Sequence, residues 1–225
     1  MLAALTGAGL SASAGLNAFI PLLIVSVFSR FTTFIELPEH LLWLESWPAI
    51  IIAAGLLAAE LILDKIPGVD TVNDLIQSAI RPLVGGVIFA ATSSAQVVDE
   101  SVFWQDNPLL AGVLGAVVAA IVHTAKATSR PAINAATGGT GAPLASFAED
   151  ATAVALSFVA IFLPVFVLVF FLALGIAFYR VITTGRRRRL RRSERARETR
   201  EEREAFAAAK GKSAWWRLRG KHPDD

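Results

Sequence analysis

PLLAGVLGAVVAAIVHTAKATSR, residues 108–130, is the stretch on which the reading of this chain turns. From Leu109 to Val122 every residue is apolar or small, and together with residues 123–130 the segment is long enough to enter a membrane. At its end His123, Lys126 and Arg130 stand at i, i+3 and i+7, which puts all three on one helical face. Ionisable groups at membrane depth are costly, so by default they pair with something or line a watery path. The chain offers partners in Glu60, Asp64, Asp70, Asp74, Glu149 and Asp150. The competing account is that Lys126 and Arg130 end the helix near a membrane face, where long side chains snorkel and the helix dipole favours cations.

Composition supports a membrane protein. The 225 residues are 54% hydrophobic with a mean hydropathy of +0.56, too apolar for an ordinary soluble domain. That length holds one helical bundle and a tail. Without cysteine there are no disulfides, thiolate metal sites or cysteine nucleophiles. The net charge of +2 hides an asymmetry: residues 1–180 carry six Lys/Arg against twelve Asp/Glu, and residues 181–225 carry fifteen against seven. The basic balance belongs to the tail and the bundle is acidic, so nucleic acid is not an expected partner.

The expected fold class is all-α: a polytopic membrane helix bundle over residues 1–183, with about five spans and proline-broken or re-entrant segments. A basic cytoplasmic tail, partly helical or disordered, follows over residues 184–225. Leu2–Phe28 reads as a retained first span rather than a cleaved signal, because it lacks a basic start. Pro48–Leu63 is the second. Asp64-Lys-Ile-Pro-Gly-Val-Asp70 is a turn, and a helix from Val72 runs on through Pro82 with a kink. Pro108–Arg130 is the fourth helix, and Pro131–Pro143 is not expected to cross regularly. Leu144–Arg180 is the last apolar stretch, long enough to require a tilt, a kink at Pro164 or a start outside the membrane core, with Phe158, Phe162, Phe166 and Phe170 on one lipid-facing ridge. Gly7/Ser11/Gly15, Gly86/Ala90/Ser94 and Gly112/Ala116/Ala120 read as packing faces. Arg186–Arg192 makes the C-terminal end cytoplasmic by the positive-inside rule and the acidic, Trp-bearing loops external, a pattern five simple crossings cannot satisfy. Asn17-x-x-x-Pro21, Ser78-x-x-x-Pro82 and the segment before Pro131 suggest broken helices of the kind transporters use.

Three segments carry a family resemblance: GLSASAGLNAFIPL (9–22), DKIPGVD (64–70) with Ile80-Arg-Pro82, and TAKATSRP (124–131). Together they resemble the bacterial integral-membrane family called domain of unknown function 4126, over roughly residues 5–180 and without the tail. The resemblance implies a polytopic membrane protein and brings no activity with it.

The expected ligand-binding or ion-path residues are His123, Lys126, Arg130, Glu60, Asp64, Lys65, Asp70, Asp74, Arg81, Gly138, Gly139, Thr140, Gly141, Glu149 and Asp150. Carboxylates one turn apart, Glu60/Asp64 and Asp70/Asp74, could bind a cation, carry protons or balance the basic stripe. Gly138-Gly-Thr-Gly141 could offer backbone N–H groups to an anion, although it lacks the Lys-Ser/Thr of a Walker loop. No catalytic residues are expected: histidine occurs only at 40, 123 and 222, with no Gly-x-Ser-x-Gly or His-Glu-x-x-His. No cofactor is implied, and a metal is undetermined. The leading expectation is a transporter or channel-like protein of the bacterial inner membrane with a charged cavity for an ion, small anion or lipid headgroup. The alternatives are an assembly protein with internally paired charges and a metal-dependent membrane enzyme using Asp70 and Asp74, whose spacing departs from the DxxD of prenyl transfer. The expected partners are the lipid bilayer, anionic headgroups at the tail and an unidentified small solute, with homo-oligomerisation left open.

Overall fold

Every long apolar run forms a helix, and no strand occurs among the described residues. The structure is a computed structural model that describes residues 2–64, 66, 69–93, 102–138, 140–177, 179–180 and 183. The chain divides into one unit of Met1–Leu172 and a second of Ala173–Asp225. The first holds helices α1 (Leu2–Leu16), α2 (Phe19–Phe31), α3 (Trp47–Leu63), α4 (Val69–Ser93), α5 (Val102–Asp106), α6 (Pro108–Thr137) and α7 (Ala142–Phe162). Short 3-10 turns lie at Glu39–Glu45 and Pro164–Phe166, the latter opening an apolar helix Pro164–Ala177. The basic tail from residue 184 lies outside the described residues.

Among the described residues, three helical segments are long and apolar enough to cross a membrane: Val72–Thr92, Pro108–Thr137 and Ala142–Phe162. A fourth crossing results if Glu39–Glu45 and Trp47–Leu63, bent by 61°, make one span. Leu2–Leu16, Phe19–Phe31 and Pro164–Ala177 are apolar but shorter. The distribution of side chains is that of a bundle in lipid. Leu109 on the outer face is 81% exposed, whereas Arg81 inside is 0% exposed. Large apolar side chains outside and charges inside are stable together when the surroundings are hydrocarbon.

Local sequence explains most boundaries. Ser46 starts α3 by accepting the Ala49 N–H at 3.3 Å. Pro108 opens α6, where its missing N–H costs nothing. Gly138 closes that helix in the left-handed conformation, φ 60°, donating its N–H to Asn134 O. Leu163-Pro164 ends α7, so the last apolar stretch does break at the expected proline. Phe158, Phe162 and Phe166 stand exposed on it, and Phe170 is half-buried.

Two boundaries differ from the sequence reading. Leu2–Phe28 is two helices, broken between Leu16 and Phe19. Pro131 lies inside α6, which continues through it, whereas α4 runs through Pro82 as expected. The fourth helix therefore reaches Thr137 rather than stopping at Arg130. A proline removes one intrahelical bond and bends the helix, but packing on both sides holds the two halves together.

The centre of the unit is where α1, α4 and α6 cross on small residues. A Cβ on Gly86 would sit 2.7 Å from Gly112 O, and one on Gly15 would sit 2.6 Å from Ala119 O. A Cβ on Gly115 would run into the Gly85 carbonyl oxygen and Phe89 Cβ. Ser11 Oγ bridges the same crossing by donating to Gly85 O at 2.8 Å. Gly115→Val is therefore expected to destabilise the bundle by at least roughly 1–3 kcal/mol through overpacking. Gly55→Val, where an added Cβ meets nothing within 4 Å, should leave it unchanged. Thermal unfolding of the two purified variants in one detergent checks the contrast.

Candidate functional site

The site begins with the break in the first apolar run. α1 ends at Leu16, so its last carbonyls lack helical partners. Cations from other helices supply them: Arg81 Nη1 donates to Gly15 O at 3.3 Å, and Lys126 Nζ donates to Leu16 O at 3.1 Å. Asn17 holds the start of α2, its Oδ1 accepting the N–H groups of Phe19 and Ile20 at 3.1 and 3.2 Å. Its amide donates across the bundle to Asp150 Oδ1 at 3.0 Å.

Around that break, charges from α3, α4, α6 and α7 converge. Arg81 Nη2 donates to Glu60 Oε1 at 2.7 Å and lies 3.8 Å from Asp64 Oδ2, while its Nη1 lies 3.8 Å from Asp74 Oδ1. Lys126 Nζ donates to Asp64 Oδ2 at 2.9 Å and lies 3.3 Å from Glu149 Oε2. Arg130 grips Glu149 with Nε and Nη2, and the same Nη2 donates to Ser146 Oγ at 2.9 Å. Ser146 in turn donates to Asp64 O at 2.7 Å, and Asn73 Nδ2 donates to Asp64 Oδ1 at 2.7 Å. Glu60, Asp64, Arg81, His123, Lys126 and Arg130 are all buried, whereas Asp74 and Glu149 are half-buried at the edge.

Asp64 stands just past the end of α3. Burial acts to raise its carboxyl, but the Lys126 charge and hydrogen bond, the Asn73 amide and Arg81 outweigh burial and hold it below the usual aspartate range. The anchoring is mutual, because removing any one partner leaves a desolvated charge.

Hydrogen bonding fixes the state of His123. Arg81 Nη1 lies 2.9 Å from His123 Nδ1, and a guanidinium can only donate, so Nδ1 is the acceptor. Ser78 Oγ donates its one proton to Asp74 O at 2.8 Å and lies 2.9 Å from His123 Nε2, so Nε2 carries the hydrogen. His123 is therefore a neutral imidazole, protonated at Nε2. Nitrogen-15 NMR of histidine-labelled protein should show that tautomer at neutral pH, and an imidazolium signature for His123 would contradict the network.

A groove of about 590 Å³ opens between α4 and α6, with Asp74, Ser78, Ala127, Arg130 and Asn134 among its walls. It touches the cluster at Asp74 and Arg130. Asp74 Oδ1 and Asn134 Oδ1 are buried acceptors without a hydrogen-bond partner.

Of the residues expected from sequence, Glu60, Asp64, Asp74, Arg81, His123, Lys126, Arg130 and Glu149 meet in this one place. Asp150 is buried beside Asn17. Gly138, Thr140 and Gly141 form a turn whose N–H groups bond to Asn134 O, Thr137 O and Thr137 Oγ1. Those donors serve the end of α6 and are not available to an anion. Lys65 and Gly139 lie outside the described residues, as does the side chain of Asp70. No three His, Cys, Asp or Glu side chains among the described residues converge as metal ligands. Sequence reasoning passed over Asn73, Gln77 and Ser146, and read Ser78 only as part of a helix-break pattern. A signal existed for the first two: Asn73, Gln77 and Arg81 repeat every four residues and form a buried polar ridge along α4.

A family model described as "Domain of unknown function (DUF4126)" matches residues 4–184. No curated protein and no solved structure is similar enough to count as a match.

Proposed function

The chain belongs to the DUF4126 family, and we propose that it is a transporter-type membrane protein whose intramembrane ion-pair cluster is the working site. The ligand is an ion, a small anion or a lipid headgroup, reaching the cluster through the α4–α6 groove. One observation carries this reading: a buried set of charges from four helices meets a groove at Asp74 and Arg130. Charge held inside a bundle is expensive and marks a pathway or binding site by default. The broken α1–α2 pair supports it, since a helix end within a bundle supplies partial charge and carbonyls at that depth. The basic tail is read as cytoplasmic, touching anionic headgroups, in a bacterial inner membrane.

Proteoliposomes holding the full chain test this. A panel of labelled ions, small anions and headgroup analogues is expected to include one with protein-dependent flux, lowered at least about tenfold by Arg130→Ala through loss of the Glu149 clamp. No flux with any member of a broad panel would count against transport.

A second reading draws on a different observation. Arg81, Lys126 and Arg130 each already have a carboxylate partner, as a purely structural ion-pair core would. On that reading the protein is an assembly factor, and deleting residues 186–225 abolishes function while Arg130→Gln is tolerated. The opposite pattern eliminates it.

A further inference from the structure

Among the described residues the charges in the cluster do not balance. Glu60, Asp64, Asp74 and Glu149 are linked through ion pairs to Arg81, Lys126 and Arg130, four carboxylates against three permanent cations. His123 adds no charge, since Arg81 occupies its Nδ1 as a donor. With every carboxylate ionised, the described set holds one uncompensated negative charge inside the bundle. A buried charge without a counter-ion is strongly disfavoured and is removed by neutralisation.

The unpartnered atoms indicate where. Glu60 is 2% exposed, with Oε1 bonded to Arg81 and Oε2 without a partner. Asp74, a residue lining the groove, has its buried Oδ1 without a hydrogen bond. Gln77 Oε1 and Asn134 Oδ1 are further unpartnered acceptors on α4 and α6. The surroundings need positive charge or donors. Arg81 Nε is an unpartnered donor, but the charge of that side chain is committed to Glu60, Asp64 and Asp74. An anion entering here would add to an existing negative excess. A metal cation needs several oxygens at once, and the described residues show no such convergence. A proton needs one oxygen.

We infer that the cluster is a proton-binding site, with Asp74 receiving the proton from the groove and Glu60 as the deep carboxylate that shares it. The step forms one O–H bond on a carboxylate oxygen and removes the excess negative charge; nothing else is consumed. The groups facing it are Asp64 from the end of α3, Arg81 from α4, His123, Lys126 and Arg130 from α6, and Glu149 from α7, with the Gly15 and Leu16 carbonyls from α1. Asp64, with both carboxylate oxygens occupied by Lys126 and Asn73 as donors, is not the carrier. This rests on the transport reading and narrows its ligand, making the proton the coupling ion.

Infrared difference spectroscopy tests it on the full chain in liposomes, with pH stepped in a choline buffer free of sodium and potassium. A protonated-carboxyl band should appear on the acid side, shift in deuterium oxide, and be lost or displaced in Glu60→Gln. Asp74→Asn, at the less buried edge, gives the same test if Glu60→Gln does not fold. A wild-type spectrum without that band, or a band unchanged in both variants, overturns the inference. So does a carboxylate response to sodium or potassium at constant pH, or to exchanging chloride for phosphate. The readout needs no transport: flux without the band sinks the proton site alone, and the band without flux in the solute panel sinks the transport reading alone.

Discussion

Arg81→Met is expected to remove about 3–5 kcal/mol of stability, enough to lose most folded protein, because Glu60 would be left buried and unpaired. Arg81 is fully buried and touches three carboxylates, His123 and the Gly15 carbonyl. Methionine fills a similar volume, so packing is largely kept and the deficit is electrostatic. The double variant Arg81→Met/Glu60→Gln should therefore recover part of the loss, because it deletes the stranded charge as well as its partner. Recovery stays partial: Asp74 and Gly15 O still lack Arg81. Thermal unfolding in one detergent at neutral pH, with all three variants compared, measures the coupling. An Arg81→Met protein as stable as wild type would mean that the ion pairs do not form.

Lys126→Met is expected to cost about as much, roughly 3–5 kcal/mol, for a partly different reason. Lys126 neutralises Asp64, lies near Glu149 and satisfies Leu16 O at the broken end of α1. Adding Asp64→Asn removes one stranded charge but not the orphaned carbonyl, which by itself costs about 1–3 kcal/mol when buried. Rescue should therefore be partial, as for the Arg81/Glu60 pair, which leaves Gly15 O without its donor in the same way. Full rescue by Asp64→Asn would show that the α1 break is not held by Lys126.

How far the sequence revealed this site depends on the kind of information each part needed. The stripe of His123, Lys126 and Arg130 was legible because helical periodicity is local, and the three do lie buried on one face of α6. The acidic partners were legible as candidates only. Which of them meet the stripe depends on how α3, α4 and α7 pack, and nothing in local spacing encodes that. Arg81 drew less weight than the stripe because it stands alone beside Pro82, yet it is the most connected group in the cluster. The α1 break was half-legible: Pro21 pointed to irregularity, but the break falls at Asn17-Ala18, and the Asn17 side chain restarts the next helix. The helix through Pro82 was legible, but Pro131 looked like a helix end and is not, because tertiary packing carries α6 through it. The glycine loop looked like an anion nest because glycine spacing cannot tell whether its N–H groups are spent on a helix end.

On the proposed reading, water and a ligand reach the buried charges through the α4–α6 groove, and the absence of native cysteine makes that access directly measurable. Single cysteines at Ala127 and Asn134 line the groove, and one at Phe166 lies on the exposed apolar face. Each is treated with a membrane-impermeant maleimide in intact cells and in inverted vesicles. Labelling of 127 and 134 from one and the same side, with 166 silent, is the expected result. Silence at both groove positions until the protein is denatured would contradict it and leave a dry, structural ion-pair core.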